Sequence, residues 1–409
     1  MNPQNRRVLI SGASVAGPVL AYWLARYGFE PTLVEAADAP RDGGYPIDVR
    51  GQALSVADRM GLLPELRAAG LDTEGLSFVN AENRTLAAVD MRAMRKAAAS
   101  ADIELCRGDL VRILHAATSD GIEYRFGNRI TELTQHEGGV HVEFEHGPGG
   151  DFDLVLGADG LHSGVRKLTF GPEQQFLRYL GYYFGGVEVA SSVGMPERVV
   201  LRNEPGKLIG IYRYHDRAGA FFMFASRHQV DYDYRDLAAP GRIFTERFAD
   251  LRWRGGVVEQ VAAAGEMYFD SLSQVHLATW SKGRIALVGD AGYCPTLITG
   301  QGTSLAMIGA YLLAGELAAA GGDHRVAFAR YEERFRPAVT AAQRGTSQGA
   351  AMLIPATSAA IWRRNQLVRL AGIQVLVSRL TRRFARPAAE LPAYPQASGE
   401  PSLPPAARR

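Results

Sequence analysis

Three short runs of glycine and acidic residues have the types and spacing that bind a dinucleotide. The first, GASVAG, follows the apolar run RRVLIS and offers Gly12 for a tight turn and Gly17 for close helix–strand packing. Ser14 stands at the middle glycine position, where its hydroxyl can donate to a phosphate. Glu35 ends the next predicted strand and could accept from a ribose hydroxyl. An ordinary glycine turn of an α/β protein is the alternative.

Two further acids also end predicted buried strands. Asp159 lies in GADGLHSGVR with Gly160 beside it, and Asp290 lies in GDAGYCPTLITGQGTSLA after the strand RIALV. Ligands bind open α/β sheets at this edge, where Asp290 could accept from a ribityl-type hydroxyl. The N–H groups of Gly300 to Thr303 begin a long helix and can stabilise negative charge on a ligand ring. A plain strand-end turn is the alternative for each segment alone, but their joint order favours one long cofactor.

In this order the motifs resemble those of the single-component FAD-dependent aromatic hydroxylases. These flavoprotein monooxygenases include para-hydroxybenzoate hydroxylase and the tetracycline-inactivating monooxygenases. The resemblance covers residues 6–345. It implies an FAD enzyme that consumes NADPH (or NADH) and O₂ and hydroxylates an aromatic or polyketide-like small molecule through a flavin hydroperoxide. A non-catalytic flavin-fold ligand-binding protein and a flavin halogenase or reductase of the same fold are the alternatives.

The resemblance also implies roles for individual residues. Arg107, at the helix start RGDL, would pair with the FAD pyrophosphate, Asp48 would touch the flavin end, and Arg41 matches an arginine implicated in NADPH use. Asp159 would serve FAD structurally and NADPH functionally. The expected cofactor-binding residues are Gly12, Ser14, Val15, Ala16, Gly17, Glu35, Ala36, Arg41, Asp48, Arg50, Arg107, Ile130, Asp159, Gly160, Gly289, Asp290, Gly300, Gln301, Gly302 and Thr303. The residues expected to position the flavin are Asp290, Pro295, Gly300 and Gly302. No single side chain is assigned as the catalyst.

Three positions depart from the family pattern. Ser14 replaces the central glycine, and Ala36 stands where an arginine often follows the acid. Gly292-Tyr293 replaces the usual Ala-His after the GD pair. The first two departures are expected to weaken the binding of adenosine while leaving FAD binding in place. The third changes a residue near the expected active site and leaves the substrate unassigned.

A two-domain α/β fold is needed to bring these motifs together. Residues 6–35 read as strand, glycine turn, helix and strand, which is a βαβ unit, and the alternating runs over 176–280 predict an antiparallel sheet. We therefore expect an FAD-binding Rossmann-like domain of the GR2 type with an inserted antiparallel β-sheet substrate domain and a C-terminal helix. The expected boundaries are 1–172 for the first part of the FAD-binding domain, 173–282 for the substrate sheet, 283–345 for the second part of the FAD-binding domain, 346–386 for the C-terminal helix and 387–409 for a disordered tail.

The inserted sheet is expected to cover the flavin and line the substrate site. Candidates for an apolar cavity with one cationic group are Tyr212, Arg213, Tyr214, Phe222 and Phe224. Alternation along a strand directs Arg213 and its two tyrosine neighbours to opposite faces. The alternative places the phenylalanines in the sheet core and Arg213 in solvent. The sequence identifies no base for removing a substrate proton.

Composition restricts the class of protein and its partners. The 409 residues carry 45 basic and 43 acidic side chains, a formal charge of +2, which argues against a nucleic-acid partner bound by bulk charge. Two cysteines cannot build a disulfide framework, so we expect a cytoplasmic protein, monomeric or homodimeric. Stable membrane insertion is not expected. The arginine-rich segment 350–386 could lie on an anionic membrane, but a helix that packs across the two domains with its arginines in water is the favoured interpretation.

Overall fold

A computed structural model describes residues 3–40, 44–98, 100–190, 198–214, 217–232, 236, 238–253, 256–265, 267–344, 346–370 and 391–394. Arg41 lies outside the described residues. The helices are α1 (Ala16–Arg26), α2 (Gln52–Arg59), α3 (Leu63–Ala68), α4 (Met91–Ala98), α5 (Arg107–Ala116), α6 (Gly164–Phe170), α7 (Ala239–Phe248), α8 (Val257–Ala263), α9 (Asp290–Tyr293), α10 (Gly302–Ala319), α11 (His324–Gln343), α12 (Thr346–Leu353) and α13 (Ser358–Arg369).

The strands form two large sheets and two small ones. They are β1 (Arg7–Ser11), β2 (Glu30–Val34), β3 (Pro46–Val49), β4 (Gly75–Val79), β5 (Thr85–Asp90), β6 (Ile103–Cys106), β7 (Glu123–Arg125), β8 (Ile130–Gln135), β9 (Val140–Phe144), β10 (Gly150–Phe152), β11 (Leu154–Gly157), β12 (Leu177–Val189), β13 (Arg198–Glu204), β14 (Lys207–Tyr214), β15 (Arg217–Ala225), β16 (Tyr268–Val275), β17 (Ser281–Lys282) and β18 (Ile285–Leu287). The small sheets pair β3 with β6, and β9 with β8 and β10.

The first large sheet carries the three predicted motifs at one edge. Its order is β17-β18-β11-β1-β2-β7, and every pair except β17–β18 is parallel. Residues 8–10 of β1 and 154–156 of β11 are apolar because both faces of these central strands are buried. Ser11 pairs with Gly157, which pairs with Leu287, so three strands reach their carboxyl ends together. The segments that follow β1, β11 and β18 therefore meet.

The second large sheet is built from two separate parts of the chain. Its order is β16-β12-β15-β14-β13-β4-β5. Strands β4 and β5 come from residues 75–90, and β4 pairs with β13 in parallel. The structure thus corrects the expectation of a wholly antiparallel sheet confined to 173–282. Alternating polarity identifies a strand, but it does not identify the partner of that strand.

The two faces of this sheet are covered by different elements. On one face Phe222 packs against Phe244 and Phe248 of α7, with ring centroids 4.7 and 5.6 Å apart. The other face carries Phe184 and Met223 and belongs to one apolar cluster with Tyr45, Leu297 and Ile298. Both faces therefore consist of apolar side chains, and both are buried.

The C-terminal segment forms two helices instead of the single helix expected over 346–386. The break falls at Pro355, whose carbonyl accepts from the Gly206 amide at 2.9 Å. Beyond it, Arg364 is 5% exposed, donates to Asn203 Oδ1 at 2.8 Å and lies 3.7 Å from the Phe78 ring centroid. This arginine is thus buried, whereas the favoured interpretation placed the arginines of this segment in water. Residues 371–390 are outside the described residues.

Residues 391–394 lie against α10, so the expectation of disorder over 387–409 is wrong for these four residues. Arg59 donates to the Pro392 carbonyl at 2.8 Å, and the Tyr394 hydroxyl donates to Glu316 Oε1 at 2.7 Å. The Tyr394 ring occupies the place where a side chain on Gly315 would stand, since a Cβ there would lie 2.1 Å from it.

Helix α10 is long and apolar enough to cross a membrane by length and composition, and no other helix among the described residues is. Its burial inside the protein is 78%. Helix α10 packs against α1 and α11, and this buried position accounts for its apolar composition.

Candidate cofactor and substrate site

The turn after β1 requires glycine at two positions. Gly12 has φ +105°, and a Cβ there would lie 2.4 Å from the Ala158 carbonyl oxygen. A Cβ on Gly17 would lie 1.9 Å from the Gly12 carbonyl oxygen. Helix α1 begins at Ala16, directly after Val15. The turn is therefore pressed between β11 and the first turn of α1, at the sheet edge where ligands bind.

Glu35 fixes the same turn through its carboxylate. One oxygen accepts from the Ala13 amide at 2.8 Å and the other from the Ala37 amide at 3.0 Å. Ala36 between them is exposed. A ribose hydroxyl bound here as predicted would donate to a carboxylate that already accepts two backbone hydrogen bonds.

Ser14 and Arg107 contact each other across the cleft. Arg107 begins α5, and its Nη2 donates to Ser14 Oγ at 2.9 Å. The backbone amide of Arg107 donates to the Tyr45 carbonyl at 3.3 Å, and a Cβ on Gly44 would lie 3.3 Å from Arg107 Cβ. The serine that replaces the middle glycine of the fingerprint thus holds the guanidinium that the resemblance assigns to the pyrophosphate.

Asp159 is fully engaged by the beginning of α6. Its carboxylate accepts from Ser163 Oγ at 2.5 Å, from the Val165 amide at 3.0 Å and from Ser11 Oγ at 3.4 Å. Burial raises the pKa of Asp159, and these hydrogen bonds oppose that rise. Gly160, with φ +79°, turns the chain away beside it. This geometry supports a structural role for Asp159 at the sheet edge.

The segment after β18 brings Asp290 beside the first turn of α10. A Cβ on Gly302 would lie 3.7 Å from Asp290 Oδ1, and a Cβ on Gly300 would lie 3.2 Å from Asp48 Oδ2. Asp48 is paired with Arg50 at 2.6 Å. Burial raises the pKa of Asp290, and the charge of Arg107 lowers it. Four separate chain segments therefore converge at one end of the cleft.

The other predicted cofactor residues are placed around this end. Gly289 has φ +66° and faces Ala16, and the Pro295 carbonyl accepts from Gln274 Nε2 at 3.3 Å. Gln301 precedes α10 and Thr303 lies in its first turn. Ile130 is 8% exposed and belongs to the hydrophobic core.

Tyr293, the departure from the family's Ala-His pair, points into the core and away from the cleft. It is 1% exposed, its hydroxyl lies 2.9 Å from that of Tyr331, and its ring centroid is 4.6 Å from that of Trp280. A Cβ on Gly309 would lie 2.0 Å from the Tyr293 hydroxyl. The expected change near the active site is instead a change in packing between α9 and α10.

An aromatic wall on the inserted sheet faces the cofactor residues. Tyr45 joins it, with ring centroids 5.1 Å from Phe184 and 5.6 Å from Tyr268. Phe221 continues the wall 6.0 Å from Phe184. Tyr268 remains 38% exposed. Sequence reasoning missed all four residues.

Two of the five predicted substrate residues lie on the cleft side of the sheet. The Tyr212 hydroxyl donates to the Gly44 carbonyl at 3.3 Å, and Tyr214 stacks on Tyr212 with centroids 5.7 Å apart. Arg213 is half-buried and alternates to the opposite face. Phe222 and Phe224 are on that opposite face too, 0% and 1% exposed beneath α7, which corrects their assignment as cavity-lining residues.

The residues at the cleft fit FAD. Arg107 supplies positive charge, the first turn of α10 presents backbone donors, and Asp290 presents an acceptor. A side chain at residue 300 would stand beside Asp48, and one at residue 302 would stand beside Asp290. Glycine at both positions therefore keeps this space open. Among the described residues, no group of three or more His, Cys, Asp or Glu is placed to hold a metal ion.

Known proteins are similar to this chain over most of its length. Residues 5–346 match the family model described as an FAD binding domain. A flavin-dependent monooxygenase from an unknown prokaryotic organism is 40% identical over 83% of this chain and 88% of its own length. An uncharacterised protein of Mycobacterium tuberculosis strain H37Rv is 41% identical over 81% of this chain and 90% of its own length. The crystal structure of the tetracycline destructase Tet(55) matches with a TM-score of 0.80 and 36% identity, over 96% of this chain and 100% of that one.

Proposed function

The chain belongs to the FAD-binding family of flavoprotein monooxygenases, and on that premise we propose that it consumes NADPH and O₂ to hydroxylate a planar, polycyclic aromatic molecule. One observation carries the proposal: Gly44 and Tyr45 join the cofactor residues to the aromatic wall. Gly44 packs on Arg107, and Tyr45 packs on Phe184 and Tyr268. A planar substrate against that wall would therefore lie directly beside the cofactor.

The residues of the chain contribute binding, orientation and electrostatics. FAD, when bound, supplies the redox chemistry and the activation of oxygen. Arg107 would pair with its pyrophosphate, and Asp290 would accept from a ribityl hydroxyl. The backbone donors at the first turn of α10 would stabilise negative charge on the ring, because the positive end of the helix dipole lies there.

The aromatic wall supports this proposed class of substrate. Rings present flat apolar surfaces, and stacked or edge-to-face contacts favour other flat rings over flexible chains. The Tyr45 and Tyr268 hydroxyls also offer polar atoms at the border of that surface. Helix α12 packs against the turn Leu297–Thr299, which lies between Pro295 and α10, and so helps to exclude water from the cleft.

An NADPH-consumption assay of the FAD-loaded protein tests the proposal. We expect oxidation of NADPH to accelerate when tetracycline or an anthraquinone is added, and the product to gain the mass of one oxygen atom. NADH in place of NADPH identifies the preferred nucleotide. Protein that binds FAD but shows no accelerated oxidation with any phenolic, anthraquinone or tetracycline compound would contradict the proposed substrate class.

Replacing Tyr268 by alanine is expected to raise the KM for an accepted substrate about tenfold, because one face of the stacking surface is lost. FAD affinity is expected to stay the same, since the ring of Tyr268 packs on the rings of Tyr45 and Phe184. Steady-state kinetics and FAD titration measure the two quantities.

Phe222→Leu provides the control for this variant. Phe222 lies on the other side of the same sheet, so its shortening is expected to lower the unfolding temperature and leave KM unchanged. Equal changes of KM in both variants would show that the wall does not contact the substrate.

A further inference from the structure

Four alternating charges join the cofactor side of the cleft to the inserted sheet. Arg166, Glu173, His162 and Asp270 follow one another at nitrogen–oxygen distances of 3.1, 3.0 and 3.0 Å. Arg166 is 0% exposed and Asp270 is 8% exposed. Each buried charge thus has a partner of opposite sign, which is the condition under which burial of charge is tolerated.

Both ends of this chain of charges are attached to backbone that borders the cleft. Arg166 Nη1 donates to the Ala291 carbonyl at 2.9 Å, immediately after Asp290. At the other end, the Ser271 amide donates to Asp270 Oδ1 at 2.7 Å within β16. Asp270 lies two residues after Tyr268 in this strand, so both side chains are on the same face of the sheet.

We propose that His162 is a positioning residue, which sets the distance between the flavin-side segment after β18 and the aromatic wall by carrying a positive charge between Glu173 and Asp270. The proposal rests on the proposed function only in taking the wall as the substrate-binding surface. His162 acts through Asp270, which its Nε2 contacts at 3.0 Å.

The surroundings of His162 favour its charged form. Burial lowers its pKa, but the hydrogen bonds to Asp270 and Glu173 outweigh burial and raise the pKa to about 10. Burial would raise the pKa of Glu173, yet His162, Arg166 and Lys167 bring it below its usual range. At neutral pH the imidazole therefore carries the charge that its two neighbours require.

Charge-balance variants of the full-length, FAD-loaded protein test the proposal. His162→Gln leaves Asp270 buried without its charged partner, and we expect the unfolding temperature to fall by about 5 °C or more. The double variant His162→Gln/Asp270→Asn removes one charge of each sign, and we expect it to recover much of that loss. A double variant whose unfolding temperature is no higher than that of His162→Gln would overturn the proposal.

The pH dependence of stability gives a second measurement. Because the pKa of His162 in the folded protein, about 10, exceeds the unfolded value of 6.5, its stabilisation is fully present below pH 6.5 and is lost as the pH rises to 10. The difference in unfolding temperature between wild type and His162→Gln should therefore shrink between pH 7 and pH 10. A difference that is the same at both pH values would contradict the proposal.

His141→Gln is the matched control. His141 also lies between two carboxylates, Glu143 and Asp151, at 3.1 Å from each, but its side chain is 44% exposed and all three residues belong to the small sheet β8–β10. This substitution is expected to change neither the unfolding temperature nor the kinetics.

A kinetic comparison separates positioning from general stabilisation. With tetracycline as the probe, His162→Gln is expected to raise KM about tenfold, while reduction of the flavin by NADPH without tetracycline stays at the wild-type rate. An unchanged KM in a folded His162→Gln protein would refute the positioning role. If none of the phenolic, anthraquinone and tetracycline compounds accelerates NADPH oxidation by the wild-type protein, the proposed substrate class fails, and the unfolding and pH measurements still decide the role of His162.

Discussion

Gly12→Ala is expected to yield protein that is colourless or insoluble. The added Cβ would lie 2.4 Å from the Ala158 carbonyl oxygen and 2.9 Å from Asp159 Cα, both of them backbone atoms, at a φ of +105°. Relief would require β1 and β11 to separate, although Ser11 and Gly157 are paired in the centre of the sheet. We expect a loss of about 3 kcal/mol or more of stability, together with loss of FAD. The yellow absorbance per mole of purified protein and the unfolding temperature measure both effects.

Gly241→Ala is the control for this variant. Gly241 lies in the first turn of α7, and a Cβ there would have no neighbour within 4 Å. Alanine is the better helix former by about 1 kcal/mol, so we expect normal colour and unchanged or slightly increased stability. Normal colour and stability in Gly12→Ala as well would contradict the close packing described for the turn.

Arg107→Ala is expected to weaken FAD binding about 10- to 100-fold, the range for loss of one charge-assisted contact with a phosphate. Arg107 is held on Ser14 Oγ at 2.9 Å and is therefore oriented before any ligand binds. Titration of the FAD-free protein, followed by flavin fluorescence, measures the dissociation constant.

Arg112→Ala, in the same helix, is the matched control. Arg112 is 62% exposed and pairs with Asp109 one turn away, so its removal is expected to leave FAD affinity unchanged. Equal weakening in the two variants would show only a general effect of positive charge on α5. No weakening in Arg107→Ala would remove this arginine from the cofactor site.

The family and the fold class could be predicted from the sequence, and both are confirmed by the comparisons. The reason is physical. A parallel sheet aligns the ends of its strands, so residues such as Gly12, Asp159 and Asp290 are brought together by topology alone. Glycines in close contact and acids at strand ends leave a local pattern in the sequence that needs no knowledge of distant contacts. The roles of these residues toward FAD stay predictions.

The substrate wall could not be predicted in the same way. In the run Phe221 to Phe224 both alternate sets are apolar, because both faces of the sheet are buried, so the pattern does not show which set faces the cleft. Tyr45 follows an irregular polar segment, and its contact with Phe184 joins residues far apart in sequence. The parallel pairing of β4 with β13 likewise depends on contacts between distant segments.

The contact between Tyr293 and Gly309 couples the residue types that these two positions can carry. A tyrosine at 293 needs an empty place on α10, because a Cβ on residue 309 would lie 2.0 Å from the tyrosine hydroxyl. The helix accepts glycine there at a cost of about 1 kcal/mol relative to alanine. Tyrosine at 293 therefore requires glycine at 309. Among homologous sequences, tyrosine after the GDAG segment should occur together with glycine at the position of 309. Replacement of that glycine while the tyrosine remains should be disfavoured.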